Sequence, residues 1–308
     1  VRVLLPTRRS CRALGEAFLR VTGGAPILLP VMTPIGDLDD DELGPLTTAE
    51  PAITSIFNVP PAIPILRRQL LLSRLIMAGN EDVSVAHAAL LARELARLLD
   101  EAQTEGLDFS KLAQIVPERY ASHWQETLEF LKIISSNWPS ILAEHGCIDP
   151  ADRRNRLIEA QIALWQSDPP VGPVIAAGST GSIPATADLL CCVASLSNGT
   201  IVLPGLDQTL DGQSLKALGP GHPQFGMISL LKRMNFDIVD VLPWRHSDAA
   251  EVGFVDALNA ALRPPVTALM KAPTVDLDAT FSHVRVVSVP GPQQEALSIS
   301  LMMREVLE

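Results

Sequence analysis

The residues of this sequence best suited to chemistry sit on short turns that follow apolar runs. Pro6-Thr7-Arg8-Arg9-Ser10 follows the run Arg2–Leu5 and leads into a helical pattern, Cys11–Arg20, in which Leu14, Ala17 and Phe18 share a face. A hydroxyl, guanidinium groups and the free N–H groups of a helix start suit a phosphate. Thr7, Arg8, Arg9 and Arg12 are therefore candidate nucleic-acid contacts, set against the blander reading of a solvated helix face. A second turn, Gly178-Ser179-Thr180-Gly181-Ser182, follows the run Pro173–Ala177, and a third, Pro204–Gln208, follows Thr200–Leu203. Phosphoryl transfer at such turns needs a carboxylate to hold Mg²⁺ or orient water. No Asp or Glu lies between Val171 and Ala187, which leaves Asp188 and Asp207 as the nearest acids.

The elements that must carry these turns follow from the apolar pattern. Runs of strand length, apolar throughout and joined by the helix-like stretch Ala187–Leu196, predict a βαβ unit of a buried parallel sheet. In such sheets the loops after the strands face the ligand crevice. Ile27-Leu28-Leu29 reads as a further strand, Asp37–Glu42 as a solvated acidic loop without metal-binding spacing, and Pro45–Pro64 as a linker. From Ile65 to Trp165 the period turns helical, with helices at Leu66–Ala78, Ser84–Leu99, Phe109–Ile115 and Ser122–Ser136. Another starts at Trp138, and one more is opened by Asp149-Pro150 and runs through Trp165. The pattern then gives a loop at Leu215–Phe225, a helix at Gln224–Met234, a strand at Asp237–Leu242 and a helix at Glu251–Leu262. Val284–Val289 reads as a strand and Gln293–Glu308 as its helix. The expected organisation is an α/β lobe made of 1–59 and 166–280, a helical subdomain inserted at 60–165, and the start of a second lobe at 281–308.

Composition narrows the function classes. The 308 residues carry a formal charge of −11 with a pI near 5.0, so no global basic field draws the chain to nucleic acid or an anionic membrane. Any such contact must be local. Cys11, Cys147, Cys191 and Cys192 show no zinc spacing, and His87, His123 and His145 show no HxxxH or HExxH spacing. The expectation is a reduced, cytoplasmic protein without metal or cofactor. Leu189–Leu206 is free of charge but is broken by Ser195, Asn198, Gly199 and Pro204, which argues against a membrane span. Val1 opens inside a strand pattern and Glu308 closes an uncapped helix pattern, so both ends are expected to continue in a longer polypeptide.

Taken jointly, LLPTRRSCRALGEAFL, DEAQTEGLDF, AGSTGSIPATADLL and VLPGLDQTLD resemble the superfamily 1 helicase core, and more narrowly the B subunits of AddAB-type helicase–nucleases in their proteobacterial form. The resemblance spans nearly the whole chain. It implies a RecA-like lobe with a helical insertion, and it places Thr7, Arg8, Arg9 and Arg12 on the turn that holds single-stranded DNA. It also puts Ala177-Gly178 where the Asp-Glu pair of a working motor would bind magnesium, and Gln208, after Asp207, at the glutamine that senses the γ-phosphate. Glu295-Ala296 is similar to the acidic start of the second lobe's first helix. No GxxxxGK[ST] occurs, and none of the five lysines follows a glycine. The resemblance thus implies a degenerate, ATPase-inactive motor that guides single-stranded DNA in double-strand-break repair and docks the active A subunit. The phosphate-binding loop would precede Val1, and the nuclease domain with its iron–sulfur cysteines would follow Glu308. Two other readings stay open: a nucleotide hydrolase using displaced acids, and an interaction scaffold without DNA contact.

Overall fold

Arg2–Leu5 forms β1, and its Val3, Leu4 and Leu5 are all buried. In this computed structural model, which describes residues 1–35, 59–79, 83–107, 137–243, 249–268, 281 and 284–308, β1 is the hinge of the topology. It pairs in parallel with β2 (Val31–Pro34) on one side and with β3 (Val174–Ala177) on the other, so that Arg2 opposes both Val31 and Val174. With β4 (Gly199–Val202) beside β3, the sheet is all-parallel with order β2-β1-β3-β4. The expected placement of Arg2–Leu5 and Val174–Ala177 in one parallel sheet is met.

The helices follow the strands, and crossovers between parallel strands are right-handed as a rule. Because β1 to β2 and β3 to β4 run outward in opposite directions, their helices, α1 (Arg8–Val21) and the Pro184–Ser195 helix, fall on opposite faces. On one face Leu4, Val174 and Ala176 pack with Ile158 and Trp165, and with Leu189, Leu190 and Val193. The other face carries α1, which has no fully buried residue.

A second core belongs to the helices inserted between β2 and β3. In α2 (Ile65–Gly79) the buried positions are Arg68, Leu72, Ser73 and Ile76, and in α3 (Val85–Thr104) they are Ala88, Ala92, Leu95, Leu99 and Ala102. These stripes close on Trp138 and Leu142 of the helical segment 137–144. Helix α4 (Pro150–Ser167) joins the two cores. Its N-cap Asp149 is buried beside Trp138, while Ile158 and Trp165 belong to the sheet core.

Several expectations are corrected. The edge strand is Val31–Pro34 and not Ile27–Leu29: the Val31 N–H donates to the Val1 carbonyl at 3.2 Å, which fixes the register, and Leu28 is left 98% exposed. Helix α1 starts at Arg8, three residues before the expected Cys11. The end of the proposed linker is core, since Ile63 is buried and hydrogen-bonded to the Ile148 carbonyl. Part of the expected loop Leu215–Phe225 is helical, because Asp211 caps α6 (Gly212–Ala217), which follows α5 (Pro184–Ser195). Asp237–Leu242 forms a 3₁₀ turn at Ile238–Asp240, with the Asp240 carboxylate accepting from the Asp237 N–H. Val284–Val289 joins no sheet among the described residues. The remaining helices are α7 (Phe225–Arg233), α8 (Ala249–Ala261), α9 (Pro265–Ala268) and α10 (Pro292–Leu307). The acidic run Asp37–Glu42, most of Pro45–Pro64, His123 and the expected helices Phe109–Ile115 and Ser122–Ser136 lie outside the described residues.

The chain divides into two compact units, Val1–Leu206 with Pro223–Asp240, and Asp207–His222 with Val241–Glu308. Among the described residues no helix is long and apolar enough to cross a membrane.

Candidate functional site

A parallel sheet of order β2-β1-β3-β4 reverses its winding between β1 and β3, and ligands of such sheets bind outside the carboxyl ends of the strands at that reversal. The loops there are Pro6-Thr7 after β1 and Gly178–Ile183 after β3. They touch. Gly178 has φ +80° and lies so near Pro6 that a Cβ on it would come 3.3 Å from Pro6 Cγ. Its N–H donates to the Val202 carbonyl at 2.9 Å, extending the β3–β4 ladder into the loop. Further along, a Cβ on Gly181 would come 2.8 Å from a methyl of Leu230, so α7 braces the loop from behind.

The corner after β1 is basic. Thr7 is extended, with φ −141° and ψ 161°, and is the N-cap of α1. Its Oγ1 accepts from the Ser10 N–H at 3.1 Å and lies 3.0 Å from Ser10 Oγ. Helix α1 has no acid in its first turn. Arg8 is half-buried, whereas Arg9 and Arg12 are exposed, and among the described residues neither Arg9 nor Arg12 is in an ion pair. Cationic side chains at the positive end of a helix raise its local potential instead of neutralising it. The corner after β3 is neutral: α5 opens with Pro184, and its N-cap Ile183 makes no side-chain capping bond. Ser179, Thr180 and Ser182 supply only hydroxyls, with Thr180 Oγ1 donating to Ser182 Oγ at 3.4 Å.

Thr7, Arg8, Arg9 and Arg12 thus share one corner with Ala177-Gly178 at its side. Asp207 and Gln208 belong to the second compact unit, and their polar groups are engaged locally. Asp207, 3% exposed, accepts on Oδ1 from the Thr209 N–H at 2.9 Å and from its hydroxyl at 2.6 Å. The Gln208 amide donates to the Val241 carbonyl. Arg263 closes this cluster by donating to the Thr209 carbonyl at 3.0 Å and to Thr209 Oγ1 at 3.1 Å. Asp188, the other acid near the turn, pairs with Arg233. No group of three metal-ligating side chains occurs among the described residues.

Three of the four thiols are unsuited to nucleophilic chemistry. Burial pushes those of Cys147, Cys191 and Cys192 up from the ordinary range, which disfavours the reactive thiolate. His87 is exposed, and His145 Nδ1 lies 3.0 Å from Arg67 Nη2 on the surface of the helical block.

The pattern missed a buried polar group that is held by several partners among the described residues. Asp149, 1% exposed, accepts from Trp138 Nε1 at 2.9 Å and from Gln103 Nε2 at 2.8 Å. Arg68 Nε lies 2.8 Å from Asp149 Oδ1, but its N–H is not directed at that oxygen, so this is a charge contact and not a hydrogen bond. The Arg68 fork also donates to Asp100 at 2.9 Å. The signal was present: Arg68 falls four residues before Leu72 and eight before Ile76, on the buried stripe of α2.

No protein-family model, curated protein or solved structure matches the chain significantly.

Proposed function

We propose that this chain is a RecA-like lobe without a working nucleotide site, which guides single-stranded DNA across the corner formed by Thr7, Arg8, Arg9 and Arg12. The observation that carries the reading is the pairing of two corners at the sheet's winding reversal, one basic and solvent-facing, the other without a carboxylate. A basic corner holds phosphates without reading bases. A corner without a carboxylate cannot place Mg²⁺ or activate water. The hydrolase alternative is weakened by the engagement of both displaced acids, Asp188 with Arg233 and Asp207 with Thr209.

Within the family that the motifs resemble, such a lobe would belong to a helicase–nuclease subunit of double-strand-break repair and would dock an active motor subunit. The acidic total of −11 fits a weak, local grip on DNA rather than a broad one. Titration of labelled single-stranded DNA at two salt concentrations tests the reading, in the isolated chain or with the partner subunit. Charge reversal at Arg8 and Arg9 should weaken binding equally for any sequence and reduce the salt slope by about 1.4, at roughly 0.7 per lost phosphate contact. Unchanged affinity and slope would leave the interaction scaffold as the better reading.

A further inference from the structure

We infer that Thr7 is a positioning residue that acts on the DNA through α1, by capping the turn that carries the arginines. The inference rests on the DNA reading above and assigns Thr7 a different part in it from the three arginines.

The threonine hydroxyl has one proton and two lone pairs. One lone pair takes the Ser10 N–H at 3.1 Å, and the 3.0 Å contact with Ser10 Oγ engages a further position. Both of these contacts hold the start of the helix. The first turn of α1 contains Arg8 and Arg9 and no acid, so the helix dipole and the mutual repulsion of the arginines both work to unwind it. The Thr7 cap opposes that unwinding. While the turn stays wound, Arg8 and Arg12 lie one turn apart, as do Arg9 and Arg12, spaced by about 6 Å and 4.5 Å along the axis. When it frays, Arg8 and Arg9 lose their fixed spacing to Arg12. Pro6, seated on Gly178, anchors the chain just before the cap, so loosening at Thr7 is felt on its helical side.

The test compares Thr7→Ser, Thr7→Asn and Thr7→Val in the full chain, with a labelled oligothymidylate as probe at low and moderate salt. Amide exchange at Ser10 and Cys11 is followed in parallel. Ser and Asn both cap helices well and should bind within about twofold of the parent. Val cannot cap. It should lose about fivefold in affinity, flatten the salt slope, and speed exchange of the Ser10 and Cys11 amides. Parent-like binding by Thr7→Val would overturn the inference, and so would Thr7→Asn binding as poorly as Thr7→Val, the sign of a direct contact. Arg8→Glu with Arg9→Glu separates the two layers of argument. If that variant binds like the parent, or the parent shows no binding at low salt, the DNA reading itself falls. If it loses binding while Thr7→Val does not, only the positioning role falls.

Discussion

The helical block and the corner at the winding reversal use charge in opposite ways. In the block, Asp149 and Arg68 are nearly sealed from solvent and welded to Gln103 and Asp100 of α3 and to Trp138 of the segment 137–144, two different helical segments. At the corner, Arg9 and Arg12 point into solvent, and the neighbouring loop carries no acid. A carboxylate is therefore not scarce in this chain. Asp149 is one, and it sits where it joins helices, 1% exposed and out of reach of a substrate. Buried charge is expensive unless paired and hydrogen-bonded, so it is kept where it fixes a unique packing; exposed charge costs little and is the kind a ligand can use.

The comparison breaks most readily at Asp149. Asp149→Ala leaves Arg68 without one of its two carboxylates and Trp138 Nε1 without an acceptor, and should destabilise the fold by about 3–5 kcal/mol in denaturant unfolding. Because Arg68 Nη2 has no hydrogen-bond partner among the described residues, the weld itself is imperfect. Arg68→Met combined with Asp149→Asn should therefore cost less than the two single changes added together, by roughly 1–3 kcal/mol of coupling. Full additivity would show that the block is held by its apolar stripes alone. The same kind of change at the corner should behave in reverse. Arg9→Glu with Arg12→Glu should leave the unfolding midpoint in place while altering DNA binding, since both side chains are exposed. A large loss of stability there would erase the distinction between the two regions.

A chemical test sharpens the contrast from the other side. Without a carboxylate at Ala177-Gly178, magnesium-dependent ATP turnover should be absent, since loss of metal binding and water activation removes orders of magnitude in rate. Turnover that disappears in Asp207→Ala would restore the enzyme reading. It would also require Asp207 to give up its bonds to Thr209.

How much of this was legible in the sequence depended on whether the signal was local. The β1–β3 pair could be read because each strand is a short run of apolar residues that must be buried on both faces. The basic corner was legible because its residues adjoin one another. β2 was misplaced because Ile27-Leu28-Leu29 is the more apolar run, while the ladder is fixed by a bond from Val31 to Val1 that no local pattern records. Asp149 looked like an ordinary helix cap ahead of Pro150. It is at the N-cap, yet its side chain makes no capping bond, because it turns inward to partners 46 and 11 residues away. Val284–Val289 has the alternation of a strand, but a strand needs a neighbour, and its own composition cannot supply one.

The mildest prediction concerns a polar group that fits neither pattern. Gln161 of α4 is 8% exposed, and its Nε2 has no hydrogen-bond partner among the described residues. It borders a small cavity with Leu4, Ile158, Trp165, Leu189 and Thr33, so apart from the Thr33 side chain the amide faces apolar neighbours where the Asp149 network has donors and acceptors. A buried donor left unmade costs about 1–3 kcal/mol, whereas an apolar side chain of similar length recovers dispersion contacts at the same site. Methionine matches glutamine in length and adapts to irregular gaps. Gln161→Met should therefore stabilise the fold by about 1 kcal/mol, read as a shift of the denaturant midpoint without a change in slope. If the variant is instead less stable, the amide has a partner, and a buried water in the cavity is the first to look for. The sheet core would then hold its polar group as the helical block holds Asp149, and the two cores of the unit would differ in charge but not in how they satisfy it.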